Sequence, residues 1–140
     1  MIYFKKLRWR NFLSTGNQFI EVQMNKSAAT LVIGKNGSGK STLLDALCFV
    51  LFNRPFRSIK KEQLVNTINN ADCEIQCEFT IGNKNYKITR GIKPNIFDIY
   101  CDGELLNQDA STIDYQKTLE QNIMKLNYRS FIQVVILGSS

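Results

Sequence analysis

The sequence predicts a mixed α/β domain in which one strand, phosphate loop and helix are set into a block of antiparallel β-hairpins. Three observations predict it. Gly34-Lys35-Asn36-Gly37-Ser38-Gly39-Lys40-Ser41-Thr42 fits G-x-x-x-x-G-K-[ST] at every fixed position. The continuous β-branched run Ala28 to Ile33 precedes it as a buried strand, and Leu43, Leu44, Leu47, Leu51 and Phe52 follow at helical spacing, with Asp45 opening the opposite, solvated face. The rest of the chain is mostly short alternating segments bounded by turn residues, not the strand-helix alternation of a dinucleotide fold.

Each residue type in the loop has a physical task. The glycines permit positive φ and bring backbone N–H groups close to a phosphate. The helix that starts near Lys40 adds its free N–H groups and positive dipole end. Lys40 supplies a cation to the β- and γ-phosphates, and the Ser41 hydroxyl is placed to ligate magnesium. Thr42 adds a donor on the α-phosphate side. The segment reads as a nucleoside triphosphate site.

In chain order, Ile2 to Arg10 is expected as a strand, Asn11 to Gly16 as a turn and Gln18 to Met24 as a second strand. Past the loop helix, Asn53-Arg54-Pro55 breaks regularity, and Ser58 to Asn66 is expected as one short helix capped by Ser58. Cys73 to Ile81 alternates polar and apolar residues, and Gly82 to Asn85 connects it to a strand from Tyr86 to Gly91. Ile96 to Cys101 and Glu104 to Asn107 flank Asp102-Gly103, a strong two-residue hairpin signal. Ser111 with Asp114 opens a helix to about Leu126 that buries Ile113, Leu119, Ile123 and Met124. The stretch Asn127 to Leu137, with its VVIL run, is expected to close the chain as a buried strand.

At 140 residues, 44% hydrophobic and 21% charged, the chain is expected to form one folded unit over residues 1–140. No stretch approaches the ~18 apolar residues of a membrane span, and the N-terminus does not read as a signal peptide. A soluble, cytoplasmic protein with no membrane partner is expected. Cys48, Cys73, Cys77 and Cys101 form no CxxC pair and there is no His, so reduced core thiols are expected in place of a metal site. The net charge of +6 suggests a polyanionic partner. Its cations fall in three clusters: Lys6, Arg8 and Arg10 on the first strand; Arg54, Arg57, Lys60 and Lys61 after the loop helix; and Lys84, Lys87, Arg90 and Lys93 across a hairpin. Singly, each fits a solvated face; together they point to nucleic acid, with Lys84, Lys87 and Arg90 the preferred contacts.

The order of elements resembles the N-terminal lobe of an ABC-type P-loop ATPase head. The ordered set Asn11-Phe12-Leu13-Ser14, GKNGSGKSTLLDAL and Phe131-Ile132-Gln133-Val134-Val135-Ile136-Leu137-Gly138 is similar to that of the SMC-like, SbcC-like double-strand-break repair ATPases. Arg54 to Asn66 resembles the KPFRxVKKxQLxN pattern of the ATPase subunits of T-even-type phage recombination endonucleases. The resemblance covers essentially the whole chain. It implies ATP and magnesium as cofactors, phosphates held by Gly34 to Thr42, and Gln133 as a glutamine completing the magnesium shell and sensing the γ-phosphate. It places Asn11 to Ser14 near the nucleotide base. It also implies a nuclease subunit, a second ATPase head in an ATP-dependent homodimer and double-stranded DNA as partners, in the host cytoplasm if the gene is a phage's.

The family's signature motif, Walker B acids, switch histidine, coiled coil and zinc hook are not in these residues, which matches an N-terminal half-head. Such a piece would bind nucleotide without hydrolysing it, since no acid is present to orient the attacking water. Two other readings stay open: a small P-loop kinase, against which the hairpin block argues, and a nucleic-acid-binding module that keeps the loop. Nucleotide-dependent dimerisation with the C-terminal lobe supplied separates the three.

Overall fold

The computed structural model describes residues 2–13, 15–24, 38–106 and 112–135. Among the described residues six strands, β1 (Ile2–Arg10), β2 (Ile20–Gln23), β3 (Cys73–Ile81), β4 (Lys84–Ile92), β5 (Ile96–Cys101) and β6 (Glu104–Leu105), form one antiparallel sheet in the order β2-β1-β3-β4-β5-β6. Against it packs α1 (Ser38–Phe52), followed by α2 (Thr112–Lys117), which continues as a π-helical turn over Thr118–Met124, and by α3 (Tyr128–Val135).

Alternation along the strands decides which face meets the helix. Leu7 and Trp9 of β1, Cys73, Ile75, Cys77 and Phe79 of β3, Ile88 and Ile92 of β4 and Ile99 of β5 are all buried. The core closes with Phe12, Leu64, Leu119 and Phe131 and with the helix residues Leu47, Phe49 and Leu51. Two turn details hold this register. Asp102 and Gly103 both have positive φ, 51° and 86°, as a tight hairpin requires, and Asp102 Oδ1 accepts Asn85 N–H at 2.9 Å. At Gly91 a Cβ would stand 2.9 Å from the Cys73 carbonyl oxygen, so a side chain would push β4 off β3.

The strands expected from Ile2 to Arg10, Cys73 to Ile81 and Ile96 to Cys101 form with those bounds, and the second strand is shorter than Gln18 to Met24. Three expectations are corrected. Ser58 to Asn66 makes only a 3-10 turn over Lys61–Gln63 with Lys60 at its N-cap, because the segment is held extended by Arg57 and by pairing of Phe12 with Val65. The residues from Tyr128 to Val135 are helix, not strand: Asn127 caps the turn by accepting Ser130 N–H at 2.8 Å, and Tyr128 and Phe131, three residues apart, both pack on Phe52, while Ile136 and Leu137 lie outside the described residues. Asp45 is not on a solvated face; it is fully buried. The expected strand Ala28 to Ile33 and the helix start at Ser111 lie outside the described residues.

Candidate functional site

The site predicted from sequence is organised by α1. Gly34, Lys35, Asn36 and Gly37 lie outside the described residues, while Ser38, Gly39, Lys40 and Ser41 form the helix's first turn and Thr42 is half-buried. From Leu44 to Phe52 every residue of α1 is buried, so this is a helix enclosed on all sides and not an amphipathic one. A helix start of this kind presents free N–H groups and its positive dipole end where the loop sequence runs in, which fits a bound triphosphate. Such a triphosphate, with magnesium, would supply a bond that can be hydrolysed.

Three polar devices fasten α1. Asp45 accepts Arg57 N–H at 2.8 Å and both Nε–H and an Nη–H of the Arg57 fork at 2.6 Å, so the loop after the helix folds back along it. At the C-terminal end, Asn53 adopts φ 61° and its N–H caps Phe49 O at 2.9 Å. Arg90 Nε donates to Val50 O at 3.1 Å and Gln116 Nε2 donates to Leu51 O at 2.8 Å, so two more terminal carbonyls are taken by side chains from β4 and α2. Arg90 also donates to Gln116 Oε1 and lies 3.7 Å over the Phe97 ring. Burial pulls the Arg90 pKa down to about 9 and Glu120 opposes the shift; the helix C-terminus partly offsets the cost of this buried cation.

The predicted turn Asn11 to Gly16 is fastened as tightly. Asn11 and Leu13 have φ of 49° and 54°, backbone that an L-residue holds only under constraint. Leu13 N–H donates to Leu64 O at 2.6 Å, and Asn66 Nδ2 donates to Leu13 O at 3.0 Å while its Oδ1 accepts Ile68 and Asn69 N–H, both at 3.0 Å. Phe12 then stacks on Phe49 of α1 with centroids 6.4 Å apart. Nothing in the spacing of Leu13 and Asn66 signalled this partnership, since they stand 53 residues apart in sequence. Ser14 lies outside the described residues.

Gln133 lies on α3, and its side chain is outside the described residues. The same helix seats Tyr128 and Phe131 on Phe52, the last residue of α1, with centroids at 5.8 and 5.2 Å. The three residues favoured for DNA do not form a set. Arg90 is 3% exposed and committed to the core; Lys84 and Lys87 point to opposite faces because they are three apart on one strand. Lys87 faces Glu78 in register, and both line a shallow cleft of about 470 Å³ with Asn85, Tyr86, Tyr100 and Gly103. The first-strand cations are answered as well: Lys6 pairs with Glu21 and Glu78, Arg10 with Glu74, and Arg8 lies 3.9 Å over Phe19.

Cys48, Cys73 and Cys77 are buried and Cys101 is half-buried, all as free thiols. Burial pushes Cys48 and Cys73 up to about 12, and Cys77 higher still. Among the described residues no cluster of His, Cys, Asp or Glu could hold a metal ion, and no helix is long and apolar enough to cross a membrane.

Residues 6–140 match the family model described as AAA domain. The chain belongs to that family. Two curated relatives refine the placement of this AAA domain. "Exonuclease subunit 2" of Escherichia phage RB69 is 42% identical over 135 residues, covering 96% of this chain and 24% of that protein. The "DNA double-strand break repair Rad50 ATPase" of Thermoplasma volcanium is 28% identical over 138 residues, covering 95% of this chain and 15% of its own length. The chain thus spans about a quarter or less of the curated relatives it matches. Among solved structures, a Smc head domain from Pyrococcus furiosus, solved with an extended coiled coil and bound to the C-terminal domain of ScpA, superposes with a TM-score of 0.52 at 17% identity, covering 86% of this chain and 33% of that one. This AAA domain is therefore similar in sequence to a phage exonuclease subunit and to a Rad50 ATPase, and it has a mixed α/β fold like that of an SMC head.

Proposed function

We propose that residues 1–140 are the ATP-binding N-terminal half of the head of a DNA recombination and double-strand-break repair ATPase that works beside a nuclease subunit. The observation that supports it most is the complete phosphate-loop motif in the sequence leading into a helix that starts at Ser38 and is buried from Leu44 onward. Gly34 to Thr42 hold the phosphates, Lys40 neutralises the β- and γ-phosphates and Ser41 ligates magnesium. The remaining length of the protein supplies the acid that orients water, so this half binds ATP and hydrolysis awaits the second lobe. ATP is then sandwiched between two heads of a homodimer, and opening or closing of that dimer gates the nuclease on duplex DNA in the cytoplasm, that of a host bacterium for a phage protein. Gln133 completes the magnesium shell and senses the γ-phosphate.

The test is isothermal titration of the full-length protein with ATP and magnesium. Lys40→Ala abolishes binding while the circular dichroism of the fold is retained; unchanged affinity in the variant sinks the assignment. Gln133→Ala weakens ATP more than ADP if the sensor role holds, and equal effects remove it.

A further inference from the structure

Cations on the sheet and cations beyond α1 are partnered in opposite ways. On the sheet, Lys6 and Arg10 have carboxylates and Arg8 an aromatic ring. Beyond α1, Arg54, Lys60, Lys61, Lys125 and Arg129 are exposed and, among the described residues, none has a carboxylate within ion-pair distance. They come from two segments far apart in sequence, and the fold lays both on one face of the helix. Asp45 and Phe52 are two turns apart and therefore share a face. Arg57 is clamped to Asp45, while Tyr128 and Phe131 pack on Phe52. The Arg54 guanidinium, 4.0 Å over the Tyr128 ring, joins the two segments.

The charge there is one-sided. Glu62 is the single acid between Asn53 and Gln63, and there is none from Lys125 to Ser130. The stretch between Asp45 and Phe52 spans about 10 Å of helix. At about 3.4 Å of rise per phosphate on one strand, that length corresponds to about three phosphate steps of a duplex. Phe56, 36% exposed amid these cations, adds an apolar contact for sugar or base. No side chain here is arranged as a bidentate base reader, so the surface suits backbone recognition without sequence preference.

We propose that the face formed by residues 54–61 and the start of α3 binds the phosphate backbone of duplex DNA, in place of the β3–β4 hairpin that the sequence favours. This rests on the repair function proposed above and goes beyond it by naming the surface. Each cation that neutralises a phosphate releases a counterion, so the slope of log K against log salt changes by about 0.9 for each one removed. Lys125 and Arg54 remain to hold residual affinity, and Arg57 is already spent on Asp45.

Fluorescence anisotropy of a labelled random-sequence duplex with the full-length protein tests it, across a salt series. Lys60→Glu, Lys61→Glu and Arg129→Glu together lower affinity at low salt by more than about tenfold and reduce the slope by about 2.7. Lys84→Glu with Lys87→Glu leaves both unchanged. ATP titration of the same variants gives wild-type affinity, which separates loss of this surface from failure of the nucleotide site. Unaltered DNA affinity and slope in the triple variant, or an equal effect from the Lys84 and Lys87 pair, overturns the proposal. In the first case the cations serve an acidic protein surface or only solvent.

Discussion

The Asp45–Arg57 clamp gives a prediction whose size follows from its geometry. Asp45 is fully buried and accepts three N–H groups from a single residue, while the Arg57 side chain is 46% exposed. Arg57→Ala removes the fork and leaves a carboxylate in the core. Breaking a buried pair costs about 3–5 kcal/mol, and the half-exposed partner lets water in, which puts the loss near the lower end, about 3 kcal/mol. Asp45→Ala removes the charge and frees Arg57 to turn outward, at about 2–3 kcal/mol for lost bonds and a small void. Both substitutions delete the same interaction, so the double variant loses about 3 kcal/mol, not the sum, and the cycle returns a coupling of about 2–3 kcal/mol. Urea unfolding of the four proteins, followed by circular dichroism at constant m-value, measures it. Additivity within about 0.5 kcal/mol would refute the reasoning, since the clamp would then contribute nothing as a pair.

Other outcomes follow from single contacts. Arg90→Met keeps the buried stem but leaves Val50 O and Gln116 Oε1 without their donor, and urea unfolding should show a loss of about 2–3 kcal/mol; unchanged stability would mean that relief of desolvation offsets both bonds. Asn66→Ala releases the strained Leu13 turn and three hydrogen bonds, at about 2 kcal/mol, whereas Asn66→Asp keeps the two accepted bonds and loses less; equal losses would sink the donor's role. For the thiols, the folded pKa of Cys48 and Cys73, about 12, lies above the ordinary value of 9.0. Between those values the unfolded chain binds fewer protons, so their contribution to stability is complete below pH 9 and falls as pH rises toward 12. Maleimide labelling of the native protein at pH 8 should therefore reach Cys101 first, and rapid labelling of Cys77 would contradict its burial.

What was legible in the sequence was what depends on neighbours in the chain. Period-2 alternation located β1, β3 and β5, and Asp102-Gly103 fixed a hairpin, because strand faces and two-residue turns are local properties. The phosphate-loop helix was legible from its motif and apolar spacing. What misled were polar residues whose partners are remote. Asp45 reads as the solvated side of an amphipathic helix until Arg57 returns to it, and Arg90 reads as a surface cation until the end of α1 arrives 40 residues away in sequence. The VVIL run reads as a strand because β-branched residues favour one, yet the cap at Asn127 and the seat of Phe131 make Tyr128–Val135 helical. Tertiary contacts overrode propensity there.

These remote partners converge on one element, and that has a mechanical consequence. Every residue of α1 from Leu44 onward is buried, and its C-terminal half is bonded to β4 through Arg90, to α2 through Gln116 and to the following loop through Arg57. A helix fastened to three elements in this way does not slide on its own, because interiors packed at crystal density move as blocks. If the first turn of α1 holds nucleotide as proposed, its binding energy reaches other surfaces only with the segments bonded to that helix. One of those segments, residues 54–61, forms the basic face together with α3, which packs on Phe52 at the end of α1, and the contact between the two is a half-exposed stack of Arg54 on Tyr128, softer than the bonds that hold the loop. If nucleotide and DNA influence one another through this lobe, that stack is where the two segments can part at least cost. The coupling would have to be reciprocal, DNA tightening ATP by the same factor that ATP tightens DNA.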